Sequence, residues 1–222
     1  MRCLLCKMKT QISEPICTAC LQYFPELGPA CVSCATPIAD MKCLYCGQCI
    51  INPPDLDRVI IPYQFDEPLR TVLHEFKYRE GLYLAKFLSQ KILKLVPSDY
   101  ITDCVIPVPM HVKKLRERGF NQAALLARQI AKVLHSPLEL FICRKIINTP
   151  AQAGLDAVLR KKNLRDAFHI ELIHYKHVTL VDDLMTTGST ANEIARLLKL
   201  QGVEQVDLFC CAKTCFTHHK AS

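Results

Sequence analysis

Four C-x2-C units in the first 50 residues constrain this chain more than any other feature. They are Cys3/Cys6, Cys17/Cys20, Cys31/Cys34, and a run Cys43/Cys46/Cys49 that offers the spacing twice. Nine of the 14 cysteines lie in this segment. A C-x2-C turn aims two thiolates at one point, and two such turns complete a tetrahedral zinc shell. The first shell should use Cys3, Cys6, Cys17 and Cys20. The second should use Cys31 and Cys34 with two of the last three, and spacing alone does not choose among Cys43, Cys46 and Cys49. Shells filled by four cysteines are closed, so these two zinc ions would be structural, not catalytic. The segment has few large apolar residues, and metal would supply much of its folding energy. Free buried thiols or a redox pair would account for one C-x2-C, but not for four in succession.

Asn52-Pro53-Pro54-Asp55 ends this module, so the chain divides into a double zinc ribbon at 1–51, a linker at 52–57 and a second domain at 58–222. In the second domain Arg58 to Tyr63 reads as an edge strand, interrupted by Pro62. Leu69–Tyr78 and Leu82–Leu95 have helical spacing of apolar residues. Cys104 to Pro109 is a short apolar strand, and Asn121–Leu134 is an amphipathic helix. Val178–Val181 is a buried strand, followed by a helix over about Thr190–Lys199 and a strand over Val203–Cys211. Strands alternating with helices imply an α/β fold, a mostly parallel sheet with helices on both faces. No internal repeat stands out beyond the cysteine pairs.

The net charge of +7 is concentrated in one region. From Cys104 to Asp166 there are 12 Lys/Arg against 4 Asp/Glu, an excess of +8, so the rest of the chain nets −1. Such a segment calls for an anionic partner, either phosphate, polyphosphate or nucleic acid. Its candidate contacts are Lys113, Lys114, Arg116 and Arg118, then Arg160, Lys161, Lys162 and Arg165. No apolar run approaches the ~18 residues of a membrane span. The first residues lack the apolar run of a secretory signal. The sequence therefore implies a cytoplasmic protein without membrane insertion.

The chemistry is densest at Val181-Asp182-Asp183-Leu184-Met185-Thr186-Thr187-Gly188-Ser189-Thr190. An apolar strand runs into two carboxylates, then into a hydroxyl-rich loop at a helix N-terminus. In open α/β sheets ligands bind at the carboxyl ends of the strands. The loop offers backbone N–H groups and hydroxyls to an anion. The two acids would repel a bare phosphate, so they suit a ligand that also brings hydroxyls or a cation, such as a sugar phosphate.

Residues 178–190 resemble the 13-residue signature of type I phosphoribosyltransferases. That resemblance implies that Thr186, Thr187, Gly188, Ser189 and Thr190 hold the 5′-phosphate of phosphoribosyl pyrophosphate. Asp182 and Asp183 would meet its ribose hydroxyls, with magnesium on the pyrophosphate. It also makes the basic segment from Asn148 to Arg165 a flap over the site.

The similarity extends along nearly the whole chain to the ComF family of competence proteins, which includes the GntX-like proteins. It rests on Phe76-Lys77-Tyr78, on Pro107-Val108-Pro109, on Arg116 to Ala123, and on Thr149, Gln152, Arg160, Asn163 and Ala167-Phe168. The family's cysteine-rich start is a double zinc ribbon whose last pair reads C-G-x-C. This resemblance turns the second shell toward Cys46 and Cys49 and leaves Cys43 spare. It implies a cytoplasmic helper of natural transformation that handles incoming single-stranded DNA, with DNA-uptake proteins as partners. An active phosphoribosyltransferase, with an unidentified base or amine as acceptor, is the other function the sequence allows. No acceptor pocket or catalytic residue is legible. Lys77 and His111 read as surface positions, although the family resemblance raises Lys77 as a ligand contact, and Asn121 and Gln122 read as helix caps or as ligand contacts. Cys210 and Cys211 read as buried strand residues.

Overall fold

The computed structural model describes residues 1–10, 14–40, 42–78, 83–147 and 166–215. Strands β1 (Arg58–Ile60), β2 (Tyr63–Gln64), β3 (Cys104–Pro107), β6 (His177–Met185) and β7 (Gln205–Lys213) form one parallel sheet. Its order is β1-β7-β6-β3, with β2 continuing along β7. A hairpin stands apart, made of β4 (Cys143–Lys145) and β5 (Phe168–Ile170). The helices are α1 (Thr18–Leu21), α2 (Gly47–Ile51), α3 (Leu69–Tyr78), α4 (Leu84–Leu93), α5 (Val112–Arg118), α6 (Gln122–Leu134) and α7 (Ser189–Leu200). No described helix is long and apolar enough to cross a membrane.

The apolar strands are continuous because the sheet is covered on both faces. Ile106, Val178, Leu180, Val206, Leu208 and Cys210 face one core, which Ala191, Ile194, Ala195 and Leu198 of α7 close. Their neighbours Val105, Val181, Phe209 and Cys211 face a second core, closed by α3, α4 and α6. The period of two along each strand thus sorts residues to opposite layers. The α/β architecture expected from the sequence is the one found. The edge strand divides at Ile61-Pro62, because proline has no N–H to donate.

The cysteine-rich segment feeds both cores. Leu27 and Ala35 join the α7 side. Cys3, Ile16 and Phe24 join the α4 side, where Phe24 meets Tyr63 and Phe87 edge-on at ring distances of 5.3 and 6.4 Å.

One sequence reading is corrected by the fold. The N-terminal segment is an internal repeat beyond its cysteines. Arg2 bridges Lys9 and Ala30 bridges Pro37, so each pair is matched by one 28 residues later. Lys7 and Ala35, the residues after the first C-x2-C of each unit, are both left-handed, at φ 63° and 55°. Each unit then ends in a second C-x2-C whose first cysteine, Cys17 or Cys46, stands at the N-cap position of a short helix, and the Cys17 thiol also accepts from the Cys20 N–H. The apolar identities differ between the units, so periodicity in the sequence does not reveal them.

Candidate functional site

The site lies where β6 leaves the sheet. This strand runs past Val181 to Met185, because Asp182, Leu184 and Met185 still pair with Cys210, Ala212 and Lys213 of β7. Asp182 and Asp183 are therefore strand residues, held by the ladder, and not members of a free loop. Gly188 turns the chain into α7 at φ 78°, a conformation that favours glycine, and a Cβ there would collide with the Met185 Cε. Thr187 and Ser189 share a hydrogen bond of 2.8 Å between their hydroxyls. Behind the loop, Lys213 at the end of β7 donates to the Thr186 carbonyl at 3.5 Å.

Asp182, Leu184, Met185, Thr186, Gly188 and Ser189 line a hollow of about 290 Å³ that opens to solvent. Thr190 and Ala191 of the first α7 turn and Leu208 of β7 complete it. Gly188 stands at the cap position without a side chain, so it offers no competitor for the N–H groups of that turn. The structure thus gathers Asp182 and four of the five loop residues, Thr186, Gly188, Ser189 and Thr190, around one cavity at the carboxyl end of the sheet; Thr187 does not line it.

Asp183 points to a different neighbour. Its Oδ2 lies 2.9 Å from the Nζ of Lys77, in the last turn of α3. Both side chains are largely enclosed, at 14% and 22% exposure. The expectation that Lys77 is a surface residue is therefore corrected. It sits on the buried-face spacing of α3 beside Phe76, and the sequence carries no mark of a carboxylate 106 residues away. Gln122, buried in the first turn of α6, donates to the Lys77 carbonyl at 3.3 Å and accepts from Arg118 at 2.9 Å. The Arg118 guanidinium lies over the Tyr78 ring, 5.2 Å from its centroid. The second correction is His111. It is 8% exposed and caps α5, its Nδ1 accepting from the Lys113 N–H at 3.2 Å. Asn121 caps α6 as expected, accepting from the Ala123 N–H at 3.0 Å.

The electrostatics of the pair follow from this packing. Burial, and then repulsion from Asp183, hold the Asp182 carboxyl well above the usual carboxylate range; the Asp183 N–H and Lys77 pull the other way. Burial would lower Lys77, but Asp183 and Asp182 outweigh it and hold the ammonium above its ordinary value. On the far side, Lys145 is lowered by burial and by Lys114, with Asp182 opposing. Its Nζ lies 5.6 Å from the Phe168 ring centroid. Lys77 thus pairs with Asp183 and Lys145 lies within electrostatic reach of Asp182, with Arg118 acting on Lys77 and Lys114 on Lys145. A carboxylate disfavoured by its surroundings gains most from a cation or from hydroxyl donors.

Among the basic candidates, Lys113 and Arg116 are exposed on α5 and Lys114 is half-buried. Arg160, Lys161, Lys162 and Arg165 lie outside the described residues. So do Thr149, Gln152 and Asn163.

The thiols form two clusters. The Sγ atoms of Cys3, Cys6, Cys17 and Cys20 lie within 4.8 Å of one another, and so do those of Cys31, Cys34, Cys46 and Cys49. The pairs Cys6/Cys17 and Cys34/Cys46 are each 3.7 Å apart. The edge of a tetrahedron with zinc–sulfur bonds of 2.3 Å is about 3.8 Å, so the donors fit zinc. Cys43 stands apart, with its Sγ 3.9 Å from Asp40 Oδ2. Burial opposes ionisation of Cys3, yet the N–H groups of Cys17, Cys6 and Leu5 bring it down to about 6. Cys20 is pushed up to about 12 by burial and by its three thiol neighbours. Cys31 and Cys49 repeat that split, the first lowered to about 7 and the second raised. Ionisation of one thiol in each cluster opposes that of its neighbours, a repulsion that a bound dication would remove.

Comparison with known proteins bears on both halves of the chain. The family profile of the phosphoribosyl transferase domain matches residues 117–221. Competence protein F of Haemophilus influenzae is 31% identical over 220 residues, covering 94% of this chain and 95% of its own length. DNA utilization protein YhgH of Salmonella typhimurium is 33% identical over 220 residues, covering 96% of each. Among solved structures, adenine phosphoribosyltransferase from Thermoanaerobacter pseudethanolicus is similar at a TM-score of 0.36 and 18% identity, over 61% of this chain and 83% of that one. The sheet order, the strand–acid–loop–helix site and the profile match define a type I phosphoribosyltransferase-like domain behind a cysteine-rich module. The chain belongs to the ComF family of competence proteins, as the two full-length relatives show.

Proposed function

We propose that this protein binds phosphoribosyl pyrophosphate with magnesium and assists the handling of single-stranded DNA during natural transformation. The observation that carries the ligand is the hollow at the end of β6, where Asp182 meets the Thr186–Thr190 loop at the start of α7. The 5′-phosphate would take the loop hydroxyls and the first-turn N–H groups of α7. Asp182 and Asp183 would accept from the ribose hydroxyls. Magnesium, when bound, would neutralise pyrophosphate charge and relieve the repulsion between the two acids. Zinc would fill both four-cysteine shells as a structural ion.

The DNA part is supported by the names of the relatives and by the exposed charge of α5. Lys113 and Arg116 face solvent, and Arg160, Lys161, Lys162 and Arg165 add to the same basic segment. Phosphate contacts of this kind bind without sequence preference. The DNA-uptake machinery would supply further protein partners.

A second reading, transfer of phosphoribose to a base or amine, is favoured by the cations Lys77 and Lys145 near the acids. In that reaction the bond from ribose C1 to pyrophosphate breaks, and a bond from C1 to the nucleophile forms. Lys77 and Lys145 would help stabilise the charge of the departing pyrophosphate.

Titration calorimetry with phosphoribosyl pyrophosphate and magnesium tests the shared step. Wild-type protein should bind, and the double variant Asp182→Ala/Asp183→Ala should not, with its circular dichroism unchanged. Equal affinity in both would overturn the reading. Release of pyrophosphate that depends on an added acceptor would select the transferase.

A further inference from the structure

The segment between the cysteine-rich module and the sheet is bonded at both ends. At its start, the Asp55 N–H donates to Asn192 Oδ1 at 2.7 Å, and Asn192 Nδ2 donates back to Asp55 Oδ2 at 3.0 Å. Asn192 lies in the first turn of α7, and its own N–H donates to the Gly188 carbonyl at 2.9 Å. Two residues on, Asp57 accepts from the Val206 N–H at 2.7 Å and from Lys199 Nζ at 2.9 Å. Its N–H donates to the Val206 carbonyl at 2.9 Å. Leu56 between them is buried at 2% exposure. Residues 55–57 therefore hold both ends of α7.

The same segment is tied to the second four-cysteine cluster. The Val59 N–H donates to the Val32 carbonyl at 2.7 Å, inside the Cys31-Val32-Ser33-Cys34 turn. Ser33 Oγ donates to the Asp57 carbonyl at 3.4 Å. The Val32 N–H donates in turn to the Leu44 carbonyl at 2.9 Å, just before the Cys46/Cys49 pair. Hydrogen bonds at Asp57 and at Asp55, joined by the backbone through buried Leu56, thus link the second cluster to the turn of α7 that begins at Gly188. The first cluster has a different setting, with Cys3 in the core on the opposite side of the sheet.

We propose that the second four-cysteine shell, Cys31, Cys34, Cys46 and Cys49, is a splint for the phosphate loop, with Asp55 and Asn192 as its positioning residues. The proposal rests on reading Thr186–Thr190 as that loop. A fully ligated shell fixes the Val32 and Ser33 turn, which fixes residues 55–59, which fix the first turn of α7. The loop is then held ready, and the ligand does not bear the cost of ordering it. Linkage makes the effect mutual, so ligand in the hollow should tighten metal in the second shell.

The test is amide hydrogen exchange on the full-length, metal-loaded protein, with affinity for phosphoribosyl pyrophosphate and magnesium measured in parallel. In Asp55→Ala, the amides of Asn192, Glu193 and Ile194 should lose protection by about tenfold, as expected when a hydrogen bond to a charged group is lost. Amides of α6 should be unchanged, and metal content should stay at two ions per chain. Affinity should fall by a similar factor. Cys34→Ser should loosen the same turn, and Cys6→Ser, in the first shell, should leave it as in wild type.

Wild-type protection in Asp55→Ala would overturn the splint. A Cys34→Ser protein that keeps its α7 turn intact would overturn the part assigned to the second shell, and so would equal loosening by Cys6→Ser. If Cys34→Ser does not fold, Asp55→Ala decides the matter. If Asp55→Ala loses protection while wild-type protein binds no phosphoribosyl pyrophosphate, the splint stands and the phosphate-loop reading fails.

Discussion

Lys77 Nζ and Asp183 Oδ2 meet at 2.9 Å, and so join the last turn of α3 to the end of β6. Lys77 is the only described residue that forms an ion pair with either acid of the site. Removing it leaves a largely enclosed carboxylate without its counter-charge. Lys77→Met should destabilise the protein by about 1–3 kcal/mol, below the cost of breaking a fully buried pair because both groups keep some contact with solvent. Denaturant melts would measure it. A midpoint within error of wild type would mean that the pair contributes nothing.

Asp182 gives the pH dependence its sign. Its folded pKa is raised, so the folded state holds this proton more tightly than the unfolded chain does. Stability from this group is fully present below the ordinary carboxylate pKa and is lost as pH rises toward the folded value. Asp182→Asn should therefore raise the Tm at pH 7. The same change should abolish binding of phosphoribosyl pyrophosphate. In wild type, that affinity should rise with pH as Asp182 ionises. A lower Tm in the variant would contradict the assignment.

Gly188→Ala should cost about 1–2 kcal/mol from the left-handed backbone alone. The collision with Met185 adds to this and should displace the loop. Adding Met185→Ala makes room for the new Cβ but leaves φ unchanged. Calorimetry should then find binding lost in the single variant and only partly restored in the double. Full restoration would mean that φ at this position has no influence on the loop.

These residues also show how far the sequence could be read. The strand at Val178–Val181, the acids and the hydroxyl-rich loop are local features, and each has a periodic or compositional mark. The continuation of β6 to Met185 has none, because it depends on pairing with β7. Helix α5 escaped for a similar reason. Val112-Lys113-Lys114-Leu115-Arg116-Glu117-Arg118 buries no residue fully and shows no apolar stripe, and its cap is a histidine. The β4–β5 hairpin joins segments separated by more than 20 residues, far beyond any turn signal. Lys77 is the least legible of all, since an ion pair between distant residues leaves no trace in either segment.

Metal content should separate the nine N-terminal cysteines into eight and one. Cys43→Ser should retain two zinc ions per chain by elemental analysis, because its Sγ faces Asp40 and not the cluster. Cys49→Ser should lose the second ion. Loss of zinc in the Cys43 variant would reverse the assignment.

DNA affinity should fall with salt at a slope of about −0.7 per phosphate neutralised. Lys113→Ala with Arg116→Ala should flatten that slope, since both side chains are exposed on α5. Arg118→Ala should change it less, because its guanidinium is already held by Gln122 and Tyr78. Fluorescence anisotropy across a salt series would show this. An unchanged slope in the Lys113/Arg116 variant would move the DNA contacts to Arg160, Lys161, Lys162 and Arg165. Replacing those four with alanine would then be the next measurement.

The pairing of β1 with β7 has a consequence for biosynthesis. The eight clustered cysteines lie between Cys3 and Cys49, so all the thiols of both clusters exist when about a quarter of the sequence has been synthesised. Their docking surface does not. Strand β1 rests on β7, which begins only at Gln205. At 5–20 residues per second, on the order of ten seconds separate the two events. During that interval Phe24 and Leu27, both destined for the interior, have no sheet to cover them. Early metal capture would keep this nascent segment compact while it waits, and starving cells of zinc should harm newly made chains before it harms finished ones.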